Sequence, residues 1–122
     1  MKLFKSIALG IFAAAIILIS GCSKDDSGKY NVRYTFTGTS TATVTYFNSG
    51  GREVSITATP PWSYEFSTSD ETQSVSVAAF SLSSGSATVN LYLNGELKKS
   101  GSDGSSYGFN ATTGVYQIKD IK

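Results

Sequence analysis

The stretch YNVRYTFTGTSTATVTYFNSGG, residues 30–51, decides the fold class. Tyr30, Val32, Tyr34 and Phe36 alternate with Asn31, Arg33, Thr35 and Thr37. That is the two-residue period of a strand with one apolar and one polar face. After a turn at Gly38 to Ser40, Ala42, Val44 and Tyr46 repeat the pattern against Thr41, Thr43 and Thr45. Asn48-Ser49-Gly50-Gly51 then supplies residues that tolerate positive φ, a hairpin signal.

Downstream the same period recurs, and no segment offers a helical face. Val54, Ile56 and Ala58 form a third strand that ends at Pro60-Pro61, because proline cannot donate to a sheet ladder. Trp62, Tyr64 and Phe66 alternate next, then Val75, Val77 and Ala79, then Ala87, Val89, Leu91 and Leu93. Asn94-Gly95 between two strand-like runs predicts a two-residue type I′ turn. Gly101 to Ser106 reads as a flexible loop, and Tyr107 to Ile118 as one broken strand or two short ones. Short strands at such intervals predict an immunoglobulin-like antiparallel β-sandwich of seven to eight strands, with a small closed barrel as the alternative. Its expected core is Val32, Tyr34, Phe36, Val44, Tyr46, Val54, Ile56, Trp62, Val75, Val77, Val89, Leu91 and Leu93.

Upstream, Lys2 and Lys5 precede an apolar run from Ile7 to Ile19, the plan of a secretory signal peptide. The run is short for a membrane span, which takes about 20 apolar residues to cross roughly 30 Å of hydrocarbon. Ile19-Ser20-Gly21-Cys22 resembles a bacterial lipobox. The resemblance implies that residues 1–21 are removed and that Cys22, the only cysteine, is lipidated and becomes the first residue. Several acyl chains at about 0.8 kcal/mol per buried CH₂ would hold the protein firmly at a membrane. Ser23 resembles the outer-membrane sorting signal of such lipoproteins, and Lys24-Asp25-Asp26 resembles a lipoprotein export signal. Two destinations follow, display at the cell surface or retention on the periplasmic side. Residues 22–28 serve as the tether and 29–122 as the domain.

Composition narrows the chemistry. Formal net charge is +1 with no basic run, so nucleic-acid binding has no electrostatic footprint. The chain has no histidine, and lipidation consumes its one thiol, which removes histidine triads, cysteine–histidine dyads, disulfides and the usual zinc and copper ligand sets. The remaining carboxylates are sparse and lie mostly beside turn residues, with Glu53 and Glu65 a pair that could approach each other across a sugar. A non-enzymatic protein without cofactor or metal is expected.

VRYTFTG, ATVTYFN, PPWSYEF, VSVAAF and TVNLYLNGE together resemble the extracytoplasmic domain of the MmpS family of small membrane proteins, through Val32, Tyr34, Gly38, Tyr46, Pro61, Trp62, Ser63, Asn94 and Gly95. The resemblance runs from about residue 30 to residue 100. It implies a β-sandwich acting as an accessory subunit of an RND-type exporter of lipids or siderophores.

Four aromatic residues are candidates for binding. Trp62 could stack on a sugar or on a partner's side chain, although its place in the Trp62, Tyr64, Phe66 alternation favours the core. Phe47, Phe80 and Tyr92 each fall on the otherwise polar face of a strand. An exposed cluster of them would mark a binding surface, whereas strands near sheet edges would cover them individually. The function expected is a binding or interaction module on the outer membrane, with an exporter accessory and a surface glycan-binding module as alternatives.

Overall fold

The computed structural model describes residues 29–122. The signal segment 1–21, Cys22, and Ser23, Lys24, Asp25 and Asp26 lie outside the described residues. Ten strands follow in order: β1 (Tyr30–Gly38), β2 (Ala42–Phe47), β3 (Glu53–Ala58), β4 (Trp62–Thr68), β5 (Ser74–Val75), β6 (Val77–Ser81), β7 (Gly85–Leu93), β8 (Glu96–Ser105), β9 (Phe109–Thr112) and β10 (Tyr116–Gln117), closed by a 3₁₀ turn at Ile118–Asp120. The fold is all-β and antiparallel. One four-stranded sheet has the order β8-β7-β1-β4, the other the order β9-β6-β2-β3, and β10 pairs with β5 in a short ladder. The two larger sheets pack face to face as in a β-sandwich.

The alternation that announces the strands also fills the core. Val32, Tyr34 and Phe36 of β1, Val44 of β2, Val77 of β6 and Val89 and Leu91 of β7 are fully buried between the sheets. Their polar neighbours face outward, where hydroxyls pair across strands: Thr45 with Ser55 at 2.8 Å, Thr41 with Thr59 at 3.0 Å and Thr88 with Ser102 at 2.9 Å. The Asn94-Gly95 turn forms as expected, with positive φ at both residues as type I′ demands. Asn94 also ties this turn to β1, donating its N–H to the Asn31 carbonyl at 2.8 Å while its Oδ1 accepts from the Asn31 N–H at 2.9 Å.

Two expectations change. Gly101 to Ser105 is strand, paired residue for residue with Val89 to Gly85, and not a flexible loop. The glycine at 101 has a packing reason: a Cβ there would lie 2.0 Å from the carbonyl oxygen of Thr112, so β8 can cross the end of β9 only without a side chain. The region after it resolves into two short strands, β9 and β10. Secondly, Val54, Ile56 and Trp62 are only half-buried, although they pack against the core. They sit on β3 and β4, which are the outer strands of the two sheets on the same side of the sandwich. Residues outside the expected core list complete it, among them Phe66, which the Trp62, Tyr64, Phe66 alternation points inward, and Phe109, Ile118 and Ile121.

The chain after β10 is held beside the start of β1. The Lys122 ammonium meets the Glu71 carboxylate at 2.6 Å and the Tyr30 hydroxyl at 3.4 Å, and the Lys119 N–H donates to the Glu71 carbonyl at 2.8 Å. That pairing holds the Glu71 carboxyl below its ordinary range and raises the Lys122 ammonium, in each case mainly through the hydrogen bond they share. Lys29 therefore enters at the end of the molecule that also carries residue 122.

Candidate functional site

The sandwich has two unlike ends. Along β1 they are separated by roughly 26 Å, at about 3.3 Å per residue. At the Lys29 end lie the Asn48–Arg52 hairpin turn, the segment from Ser69 to Gln73, the Asn94-Gly95 turn and the 3₁₀ turn. The far end collects the connections β1–β2 (39–41), β3–β4 (59–61, with a cis Pro60–Pro61 bond), β6–β7 (82–84) and β8–β9 (106–108). Strand register places each connection, since Gly38 pairs with Ala87, Ala42 with Ala58 and Phe109 with Ser81.

Charge is divided between these ends. Among the described residues, every lysine and arginine lies in the half nearer Lys29, the farthest along being Lys99, paired with Leu91 opposite Tyr34. Every acid except Asp103 shares that half. Glu65 pairs with Arg33, Glu53 closes the β2–β3 ladder opposite Phe47, and Glu96 borders the type I′ turn. The far half presents serine, threonine, asparagine and glycine, with Asp103 as its single charge. Asp103 Oδ2 accepts from the Asn110 N–H at 2.8 Å, bridging β8 to β9.

Into this end, charged only at Asp103 among the described residues, project three large apolar side chains. Phe80 is 46% exposed, Leu82 80% and Tyr107 87%. Phe80 points outward from β6 because its neighbours Ala79 and Ser81 alternate with it, and Ala79 is buried. Leu82 follows it into the β6–β7 turn. Tyr107 rides on the β8–β9 connection, which approaches so closely that a Cβ on Gly108, at φ +135, would lie 2.3 Å from the Ser81 carbonyl oxygen. Phe80 and Leu82 thus form a ridge between two open grooves. One, of about 270 Å³, is lined on its other side by the hydroxyls of Thr41, Thr43 and Thr57. The other, of about 250 Å³, is bounded by Tyr107, Asp103 and Asn110. Pockets that enclose a drug-sized ligand run from about 300 to 1,000 Å³, so each groove suits a single ring resting on the surface.

The four aromatic candidates from the sequence do not converge. Phe80 stands on the ridge. Phe47 shares the outer face of the same sheet but is half-buried, and lies four strand positions from Thr43, the partner of Phe80. Tyr92 belongs to the opposite outer face, where the Arg33 guanidinium covers its ring at 4.2 Å from the centroid. Trp62 is half-buried at the β3–β4 side, with its ring 5.2 Å from that of Tyr46. There it heads an aromatic row continued by Tyr64, 4.7 Å from Tyr46, and by Phe66. Leu82, the ridge's other member, and Tyr107, across the second groove, were missed. Their signal was a large apolar residue set among serines and glycines of a connection.

Glu53 and Glu65 face away from each other, one on the outer face of each sheet, and share no cleft. Among the described residues no three histidine, cysteine or acidic side chains group as metal ligands, and no helix is long and apolar enough to cross a membrane. No protein-family model matches this sequence, and comparison with curated proteins returns no match.

Proposed function

We propose that this chain is a non-enzymatic lipoprotein of the bacterial outer membrane, displayed at the surface, whose immunoglobulin-like sandwich is a binding module. The observation that carries the reading is the polarity of the domain. Its tether joins at Lys29, and the exposed Phe80, Leu82 and Tyr107 gather at the opposite end, where a membrane-anchored domain meets the medium. An apolar cluster in a hydroxyl-rich setting with a single charge, Asp103, is the composition of a recognition surface. The Ile19-Ser20-Gly21-Cys22 and Ser23-Lys24-Asp25-Asp26 stretches supply the anchor and the address.

Two variants test it. Cys22→Ala should abolish labelling by a fatty-acid analogue and leave precursor-sized protein, and proteinase added to intact cells should degrade the parent domain but spare one with Lys24, Asp25 and Asp26 changed to alanine. Unaltered membrane attachment of the Cys22→Ala protein would remove the anchor from this account. Copurification of the parent with a large inner-membrane transporter would favour an exporter accessory of the MmpS kind.

A further inference from the structure

Resting on the reading of the domain as a binding module, we infer that the Phe80–Leu82 ridge and its two grooves form a binding site for an uncharged oligosaccharide, one sugar ring in each groove with the ridge between them. Three features of the molecule select this ligand. Charge is the first: with Asp103 alone at this end, a polyanion gains no counter-charge and a polycation gains little, whereas a neutral ligand incurs no unpaired-charge penalty. The second is the chemistry of the walls. A sugar ring has an apolar C–H face and a hydroxyl rim. The C–H face complements the electron-rich faces of Phe80 and Tyr107, and the rim complements the hydroxyls of Thr41, Thr43 and Thr57 on one side and the side chains of Asp103 and Asn110 on the other. The third is size and spacing, because two adjacent single-ring grooves sharing one aromatic ridge fit successive units of a chain better than one compact ligand.

A flat protein interface would use the same aromatic residues, but it typically buries about 800 Å² on each partner and draws on arginine anchors, and this end has no arginine. Trp62 is not part of this site. Its ring belongs to the side seam of the sandwich, so the two aromatic features are separable by mutation.

The test is a printed array of neutral hexose and pentose oligosaccharides, four to eight units long, beside sulfated and sialylated counterparts, probed with the full chain in detergent. Binding to neutral members is expected, with affinity unchanged as salt rises from about 0.05 to 0.5 M. Phe80→Ala and Tyr107→Ala should each lower that affinity by about tenfold or more, while Phe80→Trp retains it. Both positions are exposed, so melting temperatures should match the parent's. Binding confined to charged glycans, neutral-glycan binding indifferent to Phe80→Ala and Tyr107→Ala, or no binding to any glycan would each overturn the inference. The last outcome would leave the surface-lipoprotein reading to its own test with Cys22→Ala and proteinase, and a protein ligand lost in Tyr107→Ala would replace the sugar.

Discussion

The hydroxyl of Tyr34, on a fully buried side chain of β1, donates a hydrogen bond of 2.7 Å to the backbone carbonyl of Phe47, at the last residue of β2 in the facing sheet. The Tyr34 hydroxyl oxygen in turn accepts a hydrogen bond from the Ser76 backbone N–H. One phenol therefore joins β1, β2 and the break between β5 and β6. Replacing Tyr34 with phenylalanine keeps the ring and orphans a carbonyl, which costs about 1–3 kcal/mol when the group stays dry. Denaturant unfolding should show a lower midpoint with an unchanged slope.

The same phenol makes stability depend on alkaline pH. Burial raises the Tyr34 hydroxyl well above its ordinary value, the Ser76 hydrogen bond opposes this, and the neighbouring Tyr64 and Tyr46 add to it; Tyr46 is raised too, first by burial and then by Tyr64. Below about pH 10 these groups are neutral in the folded and unfolded chains alike, and their contribution is fully present. Above that value the unfolded chain loses protons that the folded one retains, so stability falls as pH rises. Unfolding followed from pH 9 to 11 should show this decline in the parent and a shallower one in Tyr34→Phe. Equal slopes would mean that Tyr34 ionises as easily folded as unfolded.

Trp62→Ala probes the side seam. Truncating a fully buried tryptophan costs about 3–5 kcal/mol, and this ring is only half-buried, so a loss of about 1–3 kcal/mol is expected. For a domain of this size each kcal/mol lowers the melting temperature by roughly 4–8 °C. Ligand binding at the Phe80 ridge should survive. A melting temperature equal to the parent's would show that contact with Tyr46 contributes nothing.

Gly101→Ala should be among the most damaging single-atom changes in β8. Its Cβ would meet backbone rather than a movable side chain, with Thr112 oxygen at 2.0 Å and Thr112 carbon at 2.6 Å. Overpacking of this kind costs about 1–3 kcal/mol or more. The neighbouring Ser102→Ala, which removes only an exposed hydroxyl contact with Thr88, is the control that should melt almost as the parent does.

Gly101 also marks where sequence legibility ended. Strands β1, β2 and β7 could be read because each has one apolar face and so carries its own period. Strand β8 carries none beyond Leu97. Its inner side is occupied by Gly101 against the backbone of β9, and a contact between backbones leaves no hydrophobic trace. Trp62, Val54 and Ile56 were assigned to the correct faces but to too deep a position, because burial at a sheet edge depends on strand order, which alternation does not encode. The candidate site was half legible. Phe80 stood out as an aromatic on a polar face and Leu82 follows it two residues on, whereas Tyr107 joins them only through the meeting of two connections distant in sequence.

The central claim is that the domain is held by one end and offers its ridge at the other. The most direct measurement is energy transfer to headgroup acceptors in vesicles bearing the lipidated full chain, from a fluorophore placed at Tyr107→Cys or at Val115→Cys. Both positions are exposed, Tyr107 beside the ridge and Val115 beside β10 at the Lys29 end, and under the proposed lipidation of Cys22 the engineered thiol is the one left to react. Markedly stronger transfer from position 115 than from position 107 is the predicted result. Equal transfer, or stronger transfer from position 107, would contradict the account.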